Sequence, residues 1–131
     1  MRQFEIVLQN KPGQLAEVCE VLSKAGINIK SIATEIRDES FGMVKVLTND
    51  ERTTRKALQN AGIEFVEYEV LTLALPDRPG ELAKVSKMLS NSNINIESLQ
   101  ILDKSGGTTT IAVKVDNLLV AKDILKRMSA E

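Results

Sequence analysis

Apolar residues near the start of the chain fall on every second position. Phe4, Ile6 and Leu8 show this spacing, which is the period of a half-buried β-strand. The strand stops at a Pro-Gly pair, after which apolar residues recur at helical spacing with charged residues between them. The same succession of strand, Pro-Gly pair and amphipathic helix returns over residues 71–89. The pattern therefore predicts helices packed on sheets, and it predicts them twice.

The second half of the chain repeats the first half at an offset of 67 residues. Residues 10–32 align with residues 77–99 without a gap, and eleven of the 23 aligned pairs are identical. A period this long with only two copies lies outside the solenoid repeats, so each copy is expected to be a small fold of its own. We therefore place the domain boundaries at residues 1–69 and 70–131.

The residues after the first helix of each copy support the alignment in physical terms. Gly26 and its counterpart Asn93 are the residue types that best accept the left-handed conformation at a helix C-terminus. The alternation of the next strand changes phase at Ser31 and Ser98, as an inserted β-bulge residue would cause. Hairpin turns are expected at residues 37–40 and 104–107. Another strand and a second helix follow each turn, so each copy reads βαββα.

The two copies differ at their ends. A final strand is expected at residues 65–70, whereas its counterpart would begin at residue 132, one position beyond the sequence. We therefore expect an α+β fold: two ferredoxin-like (βαββαβ) units in tandem, the second lacking its last strand, with antiparallel sheets and helices on one face. Another part of the chain or another molecule would cover the open edge of the second sheet. Because units of about 65 residues bury only about 60% of their unfolded surface, we expect a homodimer.

Composition excludes several classes of function. The chain has 17 basic and 18 acidic residues and a formal net charge of -1, without the basic footprint of a nucleic-acid-binding protein. No apolar run approaches the roughly 18 residues of a membrane span, and the N-terminus lacks a signal-peptide pattern. A single cysteine, Cys19, cannot form an internal disulfide. We expect a cytoplasmic protein that binds neither nucleic acid nor membrane.

Candidate catalytic chemistry is sparse, because the chain contains no histidine, the commonest general base and metal ligand. Cys19 lies on the apolar stripe of the first helix and Ser86 takes its place in the second copy, which favours a structural role over that of a nucleophile. The chain has neither a Cys or His cluster for a metal nor a glycine-rich phosphate loop. We therefore expect no catalytic residue, no metal and no cofactor.

The loops between the first strand and first helix of each copy are the strongest candidates for a binding site. Their sequences are Asn-Lys-Pro-Gly at residues 10–13 and Asp-Arg-Pro-Gly at residues 77–80. Unpaired N–H groups at a helix N-terminus can hold a carboxylate, glycine permits close approach, and Asn or Asp supplies a polar group for an ammonium. The alternative is an ordinary tight turn that caps a helix. Recurrence of the loop together with Asn28 and Asn95, each inside an Ile-Asn-Ile run, leaves both interpretations open.

These loops and the Ile-Asn-Ile runs that follow them resemble the ACT domain, a small regulatory module that senses amino acids in many metabolic enzymes. The resemblance covers nearly the whole chain as two ACT domains without a catalytic domain. It implies a ligand held between two ACT units, so that the first loop faces Asn95 and the second faces Asn28. The implied ligand-binding residues are Asn10, Pro12, Gly13, Gln14, Leu15, Asn28, Asp77, Pro79, Gly80, Glu81, Leu82 and Asn95.

The resemblance implies a regulatory protein that binds a free amino acid and acts on an enzyme of amino-acid metabolism. Serine-sensing relatives carry a histidine where this chain has Leu8 and Leu75, which favours a ligand with an apolar side chain. The alternative function is a non-catalytic regulatory subunit or protein-interaction module without ligand binding. RNA-binding domains share the fold but need exposed aromatic residues, and this chain has only four aromatics. Fold-matched metal chaperones would need cysteines in the first loop, which has none.

Overall fold

The computed structural model describes residues 1–129, which contain seven strands and four helices. The strands are β1 (Arg2–Gln9), β2 (Ile29–Ile36), β3 (Phe41–Thr48), β4 (Phe65–Glu69), β5 (Leu71–Pro76), β6 (Ile96–Ser105) and β7 (Thr108–Val115). The helices are α1 (Gln14–Lys24), α2 (Glu51–Asn60), α3 (Glu81–Asn91) and α4 (Leu118–Ser129). The element order is therefore βαββαβ followed by βαββα, as the sequence predicts.

The chain divides into two compact units. The first unit is Arg2–Glu69, and the second consists of Met1 together with the chain from Val70 onward. Only Val70 separates β4 from β5 in the sequence. The last strand of the first unit thus leads almost directly into the first strand of the second.

The first unit contains a four-stranded antiparallel sheet in the order β2-β3-β1-β4. Phe4 pairs with Val46 and Ile6 with Val44, so these four side chains share one face of the sheet. Buried residues of both helices pack on that face. Together with the buried sheet and loop residues they form the core: Phe4, Ile6, Val18, Leu22, Ile27, Val44, Val46 and Leu58. The helices therefore cover one face of the sheet, as expected.

The second unit contains an antiparallel sheet in the order β5-β7-β6, with three strands within residues 1–129. Its core repeats that of the first unit: Leu75, Val85, Leu89, Ile94, Ile111, Val113, Val115, Ala121 and Leu125. The counterpart of β4 is missing over the same residues, which confirms the prediction of a shortened second sheet. In consequence β5 lies at the sheet edge, whereas its counterpart β1 has a neighbour on each side.

The predicted bulges and helix ends are confirmed. The register shifts between Ile29 and Ser31 in the first unit and at the corresponding point of β6 in the second. Gly26 has φ 71° and Asn93 has φ 57°, both in the left-handed region that ends a helix. Repetition of the sequence thus reflects repetition of local backbone geometry.

The two β-hairpins differ, and the sequence does not predict how. Residues 37–40 connect β2 to β3, as expected, but the second turn is only Gly106-Gly107, shorter than the expected turn at residues 104–107. Both glycines have positive φ, 58° and 78°, which a tight two-residue hairpin turn requires. The longer ladder also contains a second register shift, between Ile101 and Asp103, so that Lys104 pairs with Thr109. This second bulge was not expected.

An ion-pair network braces the outer strand of the first sheet. Glu67 on β4 accepts hydrogen bonds from Nε and Nη2 of Arg55, both at 2.7 Å, and from Nε of Arg2 at 2.8 Å. The hydrogen bonds from Arg55 are the main reason why the pKa of Glu67 lies below its ordinary value. Partial burial acts in the opposite direction and is the weaker effect. Because Glu67 belongs to β4, the described part of the second unit has no counterpart of this network.

Candidate functional site

Each helix that follows a Pro-Gly pair begins at a glycine in the left-handed region. Gly13 has φ 91° and ψ -12°, and Gly80 has φ 91° and ψ -14°. A Cβ atom on either residue would meet nothing within 4 Å, so the backbone conformation, rather than lack of space, requires glycine. No side chain caps the first turn of α1 or α3. The first N–H groups of each helix have no intrahelical acceptor, and such groups can bind an anion.

Each loop is tied to the hairpin of its own unit by a backbone hydrogen bond. The N–H of Asn10 donates to the carbonyl oxygen of Ser40 at 3.0 Å, and the N–H of Asp77 donates to that of Gly107 at 2.9 Å. The strand-to-helix loop and the β-hairpin therefore lie side by side at the same end of each unit.

A small cavity lies beside this loop in both units. Its volume is about 90 Å³ in the first unit and about 150 Å³ in the second. The two linings share eight aligned pairs: Leu8 and Leu75, Gln9 and Pro76, Asn10 and Asp77, Lys11 and Arg78, Gln14 and Glu81, Leu15 and Leu82, Thr34 and Ile101, and Gly42 and Thr109. The repeated motif thus builds the same cavity twice, with different chemistry.

Four charged side chains of both signs line the cavity of the second unit. Nζ of Lys104 lies 3.4 Å from Oδ1 of Asp77, and Nε of Arg78 donates to Oε1 of Glu81 at 2.6 Å. Asp77, Lys104 and Arg78 are exposed, so water or a ligand can reach their charged groups. Such a mixture of opposite charges can hold a molecule that itself carries both signs.

Apolar side chains form the remaining walls of the second cavity. They are Leu75, Leu82, Ile101 and Ile111. Leu75 and Ile111 are buried in the core, whereas Leu82 is 42% exposed and Ile101 is 51% exposed. A ligand that covered Leu82 and Ile101 would remove apolar surface from water.

The unexpected second bulge of β6 explains why Lys104 lines this cavity. It aligns Lys104 with Thr109. At the equivalent point of the first unit Ile36 pairs with Gly42. A Cβ atom at Gly42 would lie 2.9 Å from the carbonyl oxygen of Glu35, too close for any side chain without a backbone shift.

The loop of the first unit uses its polar side chain within the structure. Nδ2 of Asn10 donates to the carbonyl oxygens of Asp38 and Glu39 in the β2–β3 turn, at 3.1 and 3.4 Å. Lys11 is the single charged residue among those that line this cavity. The first loop therefore braces a hairpin and offers no carboxylate to a ligand.

Asn28 and Asn95 are exposed, and the residue two positions before each second helix begins holds their backbone. The N–H of Asn28 donates to Oδ1 of Asn49 at 3.1 Å, and the N–H of Asn95 donates to Oδ1 of Asp116 at 2.9 Å. Neither asparagine lines the cavity of its own unit. The predicted pairing of each loop with the asparagine of the other unit stays a prediction.

The predicted site residues fall into two groups. Six line the loop cavities, namely Asn10, Gln14, Leu15, Asp77, Glu81 and Leu82. The other six lie outside those linings, namely Pro12, Gly13, Asn28, Pro79, Gly80 and Asn95. Sequence reasoning missed the contribution of the hairpin, Ile101, Lys104 and Thr109, although the Gly106-Gly107 pair was a signal for a tight turn that brings Lys104 into the ladder.

The described residues give little support for a reactive cysteine, a metal site or a membrane span. Cys19 is half-buried on α1. Across residues 1–129 no group of His, Cys, Asp or Glu side chains is placed to hold a metal ion. None of the helices in that part of the chain has both the length and the apolar character needed to cross a bilayer.

Two larger grooves lie on the first unit, of about 570 and 400 Å³. Ile63 and Glu64, which lead into β4, line both of them. The larger groove has no Lys or Arg in its lining and thus no side-chain cation for a carboxylate. Because the second unit lacks a counterpart of β4 among its described residues, neither groove can recur there. The loop cavity, in contrast, is present at aligned positions of both units.

Comparison with known proteins agrees with this architecture. Protein BT0572 from Bacteroides thetaiotaomicron superposes with a TM-score of 0.90 at 28% sequence identity, over 98% of this chain and 88% of that one. The regulatory subunit of aspartate kinase from Thermus thermophilus gives 0.69 at 16% identity, over 96% of this chain and 90% of that one. The corresponding subunit from Thermus flavus gives 0.64 at 18% identity, over 95% and 88% of the two chains. No curated protein matches the chain at a significant level.

A family model decides the classification. The model described as an ACT domain pair matches residues 1–129, which is nearly the full sequence. The two repeated units, their antiparallel sheets and the Pro-Gly loops before α1 and α3 agree with that description. The chain therefore belongs to the ACT domain pair family.

Proposed function

We propose that this protein is a regulatory protein of amino-acid metabolism that binds a free amino acid at its Pro-Gly loops. The observation that carries the proposal is the recurrence of one cavity beside the same loop in both units. Each cavity lies next to a helix N-terminus without a side-chain cap, where backbone N–H groups favour a carboxylate. Membership of the ACT domain pair family agrees with such a role.

The protein acts on a partner and has no reaction of its own. No histidine is available as a general base, and half-buried Cys19 has no activating base in the sequence pattern. The chains of the same fold from Thermus thermophilus and Thermus flavus are regulatory subunits of aspartate kinase. An enzyme of amino-acid metabolism is accordingly the partner that we propose for this chain.

A thermal-shift screen against the twenty amino acids tests ligand binding. A ligand that binds only the folded state adds about 2.7 kcal/mol of stability at 100 times its dissociation constant, which raises the melting temperature by several degrees. We expect one or a few amino acids with apolar side chains to produce this shift at millimolar concentration. If none of the twenty changes the melting temperature and calorimetry detects no heat, the sensing function is wrong.

The edge strand β5 supports a proposal on assembly that is independent of ligand binding. Backbone groups along an edge strand are free to pair with another chain, and β5 has a neighbour on one side only within residues 1–129. We propose that the occupant of this edge is a second copy of the chain, giving a homodimer. Light scattering should then give about twice the mass of one 14.4 kDa chain. A mass that stays at one chain over a hundredfold range of concentration would contradict the homodimer.

A further inference from the structure

We propose that the two loop cavities have separated in function, so that each chain binds one amino acid, with an aliphatic side chain, in the cavity of the second unit. On this view the loop of the first unit is a structural brace. The inference rests on the proposed function and deepens it, because it assigns the site and the class of ligand.

Charge is the first argument for the second cavity. A free amino acid carries an ammonium and a carboxylate on one carbon atom, so its site needs both an anion and a cation close together. Asp77 and Lys104 provide this combination at 3.4 Å, a distance too long for a strong hydrogen bond between them. A ligand ammonium can therefore bind Asp77, while Lys104 and the N-terminus of α3 bind its carboxylate.

Size and polarity are the second argument. A cavity of about 150 Å³ can hold a compact apolar group of roughly six heavy atoms, which is enough for an aliphatic side chain of three or four heavy atoms. The half-exposed side chains of Leu82 and Ile101 lie in its lining, beyond the charged groups. An aliphatic side chain would cover both residues, which favours valine, leucine, isoleucine or methionine over a charged amino acid.

A buried hydroxyl without a partner is the third and independent observation. Oγ1 of Thr109 is shielded from solvent and has no hydrogen-bond partner among the described residues. Buried polar atoms are nearly always paired, so this hydroxyl is an unusual feature of the second cavity. Thr109 lines the second cavity, and its counterpart in the first unit is Gly42, which has no side chain.

The first cavity also has half-exposed apolar side chains, Leu15 and Ile36, but it lacks the carboxylate and the buried hydroxyl. Asn10 uses its amide donors on the carbonyl oxygens of Asp38 and Glu39, and Lys11 is the single charge in the lining. An ammonium would meet no carboxylate there. At about 90 Å³ it is also the smaller of the two cavities.

Titration calorimetry of the full chain tests the inference, with L-valine, L-leucine, L-isoleucine and L-methionine as ligands. We expect a stoichiometry of one per chain. 3-Methylbutylamine and 4-methylpentanoate, which are leucine without its carboxylate and leucine without its ammonium, should each bind at least tenfold more weakly than leucine. Either analogue binding as tightly as leucine would overturn the charge argument.

Two pairs of variants at aligned positions locate the site. Asp77→Asn keeps the shape of the side chain and removes its charge, and we expect at least tenfold weaker binding. Asn10→Ala should lower the melting temperature through loss of the brace and leave the dissociation constant within twofold. Lys104→Gln should weaken binding, whereas Arg37→Gln, at the aligned position of the first unit, should not. If Asp77→Asn does not fold, the comparison of Lys104→Gln with Arg37→Gln locates the site.

The outcomes separate this inference from the proposed function. An amino acid that binds with two per chain, or that binds Asp77→Asn and Lys104→Gln as tightly as the parent, overturns the inference and leaves the proposed function intact. If no amino acid binds the parent protein, both are overturned.

Discussion

The two Pro-Gly loops share their backbone and differ in their chemistry. Both place a glycine with φ 91° before a helix, and both are held to a hairpin by a backbone hydrogen bond of about 3 Å. Beside the first loop, however, a four-residue turn binds the side chain of Asn10. Beside the second, a two-residue turn and an added bulge bring Lys104 to Asp77. A duplicated motif therefore repeats the backbone of the loop without repeating the charged groups beside it.

The comparison shows which element gives the two cavities their different charges. The loop supplies the helix N-terminus in either unit, but the adjacent hairpin decides which charges reach the cavity. Bulges of this kind redirect single side chains and often lie next to functional sites. Changes to the hairpin are thus expected to alter ligand binding in the second unit and stability alone in the first.

The largest effect should follow from replacement of a turn glycine in the second hairpin. Gly107 has φ 78°, and Gly107→Val forces a β-branched residue into the left-handed region at a cost of roughly 1–2 kcal/mol. The ladder that aligns Lys104 with Thr109 would then be disturbed, so the affinity for the amino acid should fall at least tenfold. Thermal unfolding and calorimetry on the same sample measure both effects. Unchanged affinity in a folded variant would contradict the role given to the hairpin.

The matched change in the first hairpin should affect stability without affecting binding. Oδ1 of Asp38 accepts hydrogen bonds from the N–H groups of Ser40 and Phe41 at 2.7 and 3.1 Å and from Oγ of Ser40 at 2.6 Å, and these bonds hold its pKa below the ordinary value. Asp38→Ala removes all three, so the melting temperature should fall. The dissociation constant should stay within twofold of the parent value. A tenfold loss of affinity would show that the first hairpin also serves the ligand.

A smaller effect is expected from the ion-pair network around Glu67 in the first unit. The folded-state pKa of Glu67 lies below its ordinary value of 4.5, so its contribution to stability is full above that pH and is lost as the pH falls through the folded pKa. Glu67→Gln should lower the free energy of unfolding by about 1 kcal/mol at pH 7. The difference from the parent should shrink below pH 4.5 and vanish in more acidic solution.

Glu97→Gln is the control for that measurement. Glu97 pairs with Lys114 on the second sheet, but its side chain is 40% exposed, and exposed ion pairs contribute little to stability. Its effect at pH 7 should be the smaller of the two. An equal or larger effect would contradict the structural weight given to the Glu67 network.

The sequence predicted most of the scaffold because the scaffold depends on local patterns. Alternating apolar positions gave the strands, Gly26 and Asn93 marked the helix ends, and the phase change at Ser31 and Ser98 marked the bulges. Each of these signals is contained within a few neighbouring residues. The shortened second sheet followed from the offset of the repeat.

The site was harder to predict because it depends on register and on partners distant in sequence. Lys104 enters the second cavity only through the bulge between Ile101 and Asp103, and the register of a hairpin follows from turn geometry. The alignment also treats Asn10 and Asp77 as equivalents, although the side chain of Asn10 is bonded to a turn some 28 residues away. No periodic pattern reports such a bond.

A crystal structure of the protein, grown with the aliphatic amino acid that the thermal-shift screen selects, tests the central claim most directly. We expect electron density for one ligand per chain beside α3, with its ammonium within hydrogen-bond distance of Asp77 and its side chain against Leu82 and Ile101. The cavity beside Asn10 should contain water alone. Ligand density beside Asn10 with none beside Asp77, or ligand bound away from both loops, would contradict the account.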